Sequence, residues 1–232
     1  ISTVGFTVTS LAVPLVFYFQ LVLGLTPTES ALMLVPMAVI NAGLAQPVGR
    51  LVDRVNPRYV AFTGAVLLAV ALVWYSTIMT PDVWIGWLLL PSAVLGLANA
   101  CVWSPISTTV TRNLPQSQAG AGSGVYNTTR QVGTVLGSAA IAALMQIRLA
   151  AELPGGAPSG AEAGGVLPDA LHAGFSAAMS QSLLLPAAVA LLGAIIVLFF
   201  AKPKQTVAWS AQGGGSPGGT EPGSEPAELP LS

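Results

Sequence analysis

The chain has 232 residues, of which 53% are hydrophobic and only 7% are Asp, Glu, Lys or Arg, against roughly a quarter charged in soluble domains. So little charge cannot cover a water-facing surface of this size, which makes the lipid bilayer the solvent and first partner of most of the chain. Eight scattered basic residues build no basic face and exclude a nucleic-acid partner, and the net charge of −1 says less than the distribution of charge.

The sequence begins ISTVGF, already inside an apolar run and without the basic start or cleavage site of a signal peptide. It reads as part of something longer on its N-terminal side. The first apolar segment covers about 2–23 and the second 30–47, joined by the turn GLTP, with Pro27 starting the next element. A third covers 59–79 and a fourth 83–107, with TPDV between them. The fifth, 119–145, is rich in glycine, and the sixth covers 175–201. Each is near the ~20 residues a helix needs to cross a bilayer core. Continuous apolar runs without period-two alternation predict helices rather than barrel strands. The expected fold class is therefore an all-α membrane protein with six transmembrane helices. Pro14, Pro36, Pro91 and Pro186 lie inside these segments and Pro105 near an end, each removing a backbone hydrogen bond and permitting a kink.

Two stretches differ. Residues 146–174 are rich in Gly, Pro and Ala and predict a long external loop, and 202–232 are too polar to bury a core and predict a disordered tail. Basic residues are unevenly shared between the two sides. One side holds Arg50, Arg54, Arg58, Arg112, Lys202 and Lys204; the other holds only Arg148, beside Glu29, Asp82, Glu152, Glu162 and Asp169. The positive-inside rule places the first set, and the C-terminal tail, in the cytoplasm of a cell with this protein in its plasma membrane. Cys101 is the only cysteine and His172 the only histidine, so neither a disulfide nor a metal cluster is expected. Cys101 reads as a packing residue and His172 as a loop residue.

Within the fifth segment, GVYNTTRQVGTVLG (124–137) carries Arg130. Counted from Ala119 at ~1.5 Å per residue, Arg130 lies about 17 Å in, near the middle of a ~30 Å core. A charge there costs at least ~2.5–3.5 kcal/mol unless it meets water or a partner. Asn127, Arg130, Gln131 and Thr134 share one helical face. Gly133 and Gly137 fall on another face and form a GxxxG packing pair, as Gly120 and Gly124 also do. Two readings stay open. If GAGSG lies among the headgroups, Arg130 is one or two turns deep and snorkels outward in a structural role. Otherwise it acts on substrate, an anion or proton-coupled gating. Asn41 and Asn99, in the second and fourth segments, serve either as helix–helix hydrogen-bonding residues or as cavity lining.

Between the second and third segments lies GRLVDRVNPR, 49–58. Its Gly49, Leu51, Asp53, Arg54 and Arg58 resemble the G-x-L-x-D-R-x-G-R-[KR] loop of the major facilitator superfamily, which joins the second and third helices of each six-helix half. Asn56 stands at the later glycine and tolerates the left-handed conformation. Pro57 stands at the basic position, so salt bridges attributed to that position do not carry over. YFQLVLGLTPTESALMLVP (18–36), the stretch Asn127–Gly133 and the long loop before the last segment look like the fourteen-span drug–proton antiporters of that superfamily. The resemblance covers residues 1–201.

It implies a C-terminal six-helix bundle that rocks against an N-terminal half of the same chain. Such a protein would export hydrophobic or amphipathic drug-like small molecules by proton antiport, with 49–58 as a gating loop and the proton, rather than any cofactor, as coupling ion. No Asp or Glu lies in the core of a segment, so the proton-carrying group is expected in the N-terminal part. An importer or a lipid or metabolite exporter of the same fold is the alternative. A complete six-span enzyme or scaffold is a further one. H-E-x-x-H and paired intramembrane Asp are absent, and Ser104 and Ser107 have no histidine base in the membrane, so no enzyme is expected. Abundant Ala, Gly, Val and Leu with two lysines fit a GC-rich bacterial source.

Overall fold

The computed structural model describes residues 1–112, 119–153 and 167–199, without the side chains of 53, 106–112 and 119. The tail 202–232 and the centre of the long loop, 154–166, lie outside the described residues. The helices are α1 (Ser2–Phe17), α2 (Pro27–Leu32), α3 (Val35–Arg54), α4 (Pro57–Ile78), α5 (Ile85–Arg112), α6 (Ala119–Glu152), α7 (Asp169–Ser182) and α8 (Leu184–Leu198). There is no strand among the described residues. Six stretches are long and apolar enough to cross a bilayer: 2–22, 27–52, 57–78, 85–105, 120–152 and 169–198.

Proline decides where two of these spans break. A proline lacks the N–H that would reach the carbonyl four residues earlier and crowds that carbonyl. For Pro36 that residue is Leu32, where α2 ends, and for Pro186 it is Ser182, where α7 ends. Pro14, Pro47, Pro91 and Pro105 stay inside continuous helices. The first span closes on a wider π turn over Tyr18–Val22, and Gly24, with φ of 65°, supplies the left-handed residue that follows it. The second span starts on a capping box: the Thr26 hydroxyl accepts from Glu29 N–H, and Glu29 accepts from Thr26 N–H at 2.8 Å.

The long loop is shorter than its composition predicts. Residues 146–152 continue α6 and 169–174 open α7, because their leucines have somewhere to go. Leu153 and Leu167 are both buried in the main core, and Leu149 and Leu171 pack against it. Gln181 Nε2 donates to Glu152 Oε1 at 2.8 Å, tying the two helix ends together. His172 therefore sits in the first turn of α7 rather than in a loop, with its Nε2 at 2.8 Å from the Leu167 carbonyl.

The spans form an arc in which α3 packs on α5, α5 on α4, α4 on α8, α8 on α1 and α1 on α6, while α5 and α6 meet only lightly. The main core lies toward the ends away from Arg54 and Arg58, around Leu15, Tyr18, Leu72, Tyr75, Leu88 and Met179. Polar ties join helices there. Tyr18 OH donates to Thr80 O at 2.7 Å and Ser176 Oγ to Met79 O at 2.6 Å, so spans one and six both hold the turn after α4. Tyr75 OH bonds Leu88 O at 2.9 Å and the Ser92 hydroxyl, which also reaches Met33 O at 2.8 Å. A smaller cluster of Val48, Val52, Val60, Ala100 and Cys101 packs the arginine-bearing ends of α3, α4 and α5.

Burial is shared very unequally. Over their most apolar stretches, 56% of the fourth span is buried but only 22% of the fifth and 6% of the second. The helices at the two ends of the arc, α3 and α6, thus present most of their surface to something beyond the described residues.

Candidate functional site

The polar residues of α6 are placed by what its other faces do. At Gly133 an added Cβ would stand 2.1 Å from Ser2 O, and at Gly137 2.6 Å from Phe6 O. In the opposite sense, a Cβ on Gly5 would stand 2.6 Å from Arg130 O. The backbones of α1 and α6 touch there, and Ser2 Oγ adds a hydrogen bond to Thr129 O at 2.9 Å. Close approach of this kind needs residues without side chains. The Gly120–Gly124 pair behaves differently. No atom of a described residue lies within 4 Å of a Cβ at either position, so among the described residues this pair packs against nothing. Nine residues before Gly133, at ~3.6 residues per turn, Gly124 points to the opposite side of α6 from the α1 contact. A third face carries the exposed Val125, Val132, Val135 and Leu136.

The polar stripe lies between the glycine face and this apolar face. Asn127 and Gln131 are exposed and Arg130 and Thr134 half-buried. Asn127 Nδ2 donates to Ser123 O at 3.1 Å and Thr134 Oγ1 to Arg130 O at 3.1 Å, which satisfies both within the helix. Arg130 reaches across to α5. Its guanidinium carbon lies 5.9 Å from the centroid of the Trp103 ring, within the range of a cation–π contact. Its Nε is buried without a hydrogen-bond partner among the described residues. Trp103 is in turn held by Asn99: Trp103 Nε1 donates to Asn99 Oδ1 at 3.1 Å, and Asn99 Nδ2 donates to Leu95 O at 2.9 Å. Asn99 is buried, and with both ends of its amide occupied its orientation is set.

The structure therefore brings Asn99 and Arg130 into one chain of contacts through Trp103. Asn41 is half-buried on α3 and bonds to none of them. Sequence reading passed over Trp103, although its spacing of four from Asn99 on a helix was there to be used.

The depth of this cluster also differs from a simple count along α6. Exposed aromatic residues mark two levels, Tyr59 on the arginine-bearing side and Trp84 and Trp87 on the other, as interfacial belts do. A Cβ on Gly64 would meet Cys101 Cβ at 2.8 Å, so these two residues are level. Stepping ~1.5 Å per residue from them puts the Trp103 backbone only ~5 Å inside the Tyr59 level, with Arg130 one to two turns in. Arg130 is thus nearer the arginine-bearing side than the ~17 Å estimate placed it. The reason is length: α6 has 34 residues, about 51 Å at that rise, so its first turns extend beyond the ~30 Å core.

On the same side, residues 49–54 form the last turns of α3 and 57–58 open α4, so the expected loop shrinks to Val55 and Asn56 between the two helices. Gly49 is half-buried, Leu51 and Arg54 are exposed, and Arg58 is half-buried with an unpartnered Nε. The side chain of Asp53 lies outside the described residues.

Residues 1–138 match the sequence profile of the Major Facilitator Superfamily, well over half of the chain. The chain belongs to the Major Facilitator Superfamily. Members of this superfamily are transporters and not enzymes. The chain is 46% identical over 205 residues to the uncharacterised MFS-type transporter Rv1250 of Mycobacterium tuberculosis, covering 86% of this chain and 35% of that one. It is 30% identical to the putative multidrug resistance protein MdtD of Pectobacterium carotovorum, over 52% of this chain and 26% of that one. It is 28% identical to the tetracenomycin C resistance and export protein of Streptomyces glaucescens, over 80% of this chain and 40% of that one. The chain thus spans about a third of the length of these relatives, and its all-helical, six-span architecture is that of a major facilitator half.

Proposed function

We propose that this chain is the C-terminal six-helix half of a plasma-membrane exporter. It would move hydrophobic or amphipathic drug-like molecules by proton antiport, rocking against an N-terminal half between two access states. One observation carries the reading. The least-buried spans, α3 and α6, stand at the two ends of the arc, and α6 bears exposed Asn127 and Gln131 beside Arg130. Arg130 and Gln131, one to two turns in, are better placed against protein or water than against lipid, as in a cavity shared with the other half. The names of two relatives, a putative multidrug resistance protein and a tetracenomycin C exporter, favour export. The positive-inside rule makes the side with Arg50, Arg54 and Arg58 the cytoplasmic one and puts the C-terminus there. The stretch 49–58 is then a cytoplasmic gating segment, in which Asp53 can pair with a neighbouring arginine in one access state and release it in the other.

Transport driven by protons is directly testable. The full-length chain in liposomes with an acidic interior should accumulate tetracenomycin C, and nigericin should collapse the accumulation. Uptake that is indifferent to the proton gradient would contradict antiport.

A further inference from the structure

Within the described spans Arg130 is the only charged side chain away from the helix ends. Three observations say what it waits for. Its guanidinium lies over an indole, Trp103, whose edge is tied back to Asn99. Its Nε is shielded from water and meets no acceptor among the described residues. No Asp or Glu lies beside it on α5 or α6; Glu152 is 22 residues away, at the far end of α6. A buried N–H without an acceptor costs free energy, and a charged donor more than a neutral one. The indole beside it offers a flat apolar face, which a planar aromatic group covers with the most van der Waals contact while an anionic oxygen on its edge reaches the guanidinium.

We propose that Arg130 and Trp103 form a subsite for planar aromatic substrates bearing a carboxylate or other anionic oxygen, and that the protein discriminates against lipophilic cations of the same shape. The proposal rests on the transporter reading and names the substrate class it carries. The guanidinium supplies the charge-assisted hydrogen bond through its terminal N–H groups, which are not closed off as Nε is. The indole supplies apolar contact area and holds the guanidinium in place. Asn99 is a positioning residue: it touches no substrate but fixes the plane of Trp103 through the 3.1 Å bond to Nε1. A cation at this place would face the uncompensated like charge of the guanidinium. The subsite lies one to two turns from the arginine-bearing side, so it meets a molecule entering from that side before the molecule reaches mid-membrane.

The test uses two xanthene dyes of one shape and opposite charge, fluorescein and rhodamine 123. They are measured on the purified full-length protein in phosphatidylcholine nanodiscs, which hold no anionic lipid to compete. Fluorescein should bind at least about tenfold more tightly than rhodamine 123, the worth of one charge-assisted hydrogen bond. Arg130→Gln should remove that preference, Arg130→Lys should retain part of it, and Trp103→Leu should weaken fluorescein several-fold. Asn99→Leu should weaken fluorescein, with the Trp103 environment changed in its emission spectrum. Because Arg130→Gln relieves a buried charge, it remains folded, and its thermal midpoint is read alongside binding.

Equal binding of the two dyes, tighter rhodamine binding, or an Arg130→Gln effect equal on both overturns the proposal; so does failure of both dyes to bind. An Arg130 already neutralised by a carboxylate elsewhere in the full chain gives equal binding and counts as that failure. Fluorescein bound with the predicted preference but never moved across liposomes upholds the subsite and counts against export. Both dyes exported without preference sinks the subsite and leaves the transporter reading standing.

Discussion

Replacing Arg130 with alanine in the full-length protein is expected to leave the protein in the membrane at its normal level and with an unchanged or higher thermal midpoint, while export of the substrates it carries falls by about ten- to a hundredfold. The two halves of this expectation come from the same geometry. A guanidinium whose Nε is buried without an acceptor is a net cost to the folded state, offset in part by ~0.5–2 kcal/mol from the indole beneath it. Its side chain makes no hydrogen bond among the described residues and its other charge-sensitive neighbour is Tyr126, one turn earlier on α6; the Thr134 hydroxyl bonds the Arg130 backbone carbonyl, which alanine retains. A residue that folding does not need, at a site facing away from the core, is held for what it does to a ligand. Loss of the protein from the membrane would show instead that Arg130 is structural, as a snorkelling arginine would be.

Gly133→Leu is expected to have the largest effect on stability. A Cβ at this position stands 2.1 Å from Ser2 O, and the obstacle is backbone, not the movable end of a side chain. The α1–α6 contact can accommodate it only by separating, which also parts Gly5 from Arg130 O and Ser2 Oγ from Thr129 O. Overpacking of this kind costs ~1–3 kcal/mol, and a loss at the upper end lowers the midpoint by roughly 5–10 °C. Gly124→Leu, in the same helix and the same kind of GxxxG pair, meets no described residue within 4 Å and should leave the midpoint unchanged. Thermal unfolding of the two variants side by side checks the prediction. Equal destabilisation would mean that something in the full-length protein covers Gly124.

These contrasts show where the sequence is legible. The spans could be read because a bilayer demands ~20 apolar residues whatever the fold, and their ends fall near helix ends except where an apolar residue could be recruited from a loop. Leu149, Leu153, Leu167 and Leu171 did that, and a Gly/Pro-rich composition hid four leucines with burial available. The glycine pairs were legible as a pattern but not as contacts, since only packing decides that Gly133 and Gly137 meet α1 while Gly120 and Gly124 meet no described residue. The depth of Arg130 depended on where along a 34-residue helix the membrane begins. Only neighbours such as Gly64 and Cys101 fix that register. Trp103 was missed because an aromatic residue in an apolar run looks like core, and its role depends on a cation from another helix.

The claim beneath all of this is that the polar stripe of α6 lines a wet passage. In full-length protein with Cys101→Ala, Gln131→Cys and Val132→Cys place a thiol at one depth but on two faces, both exposed in the bundle. Labelling by a charged, membrane-impermeant methanethiosulfonate should be fast at Gln131→Cys, slowed by bound substrate, and slow at Val132→Cys, which faces lipid. Equal rates at the two positions, or labelling at Val132→Cys alone, would contradict the account.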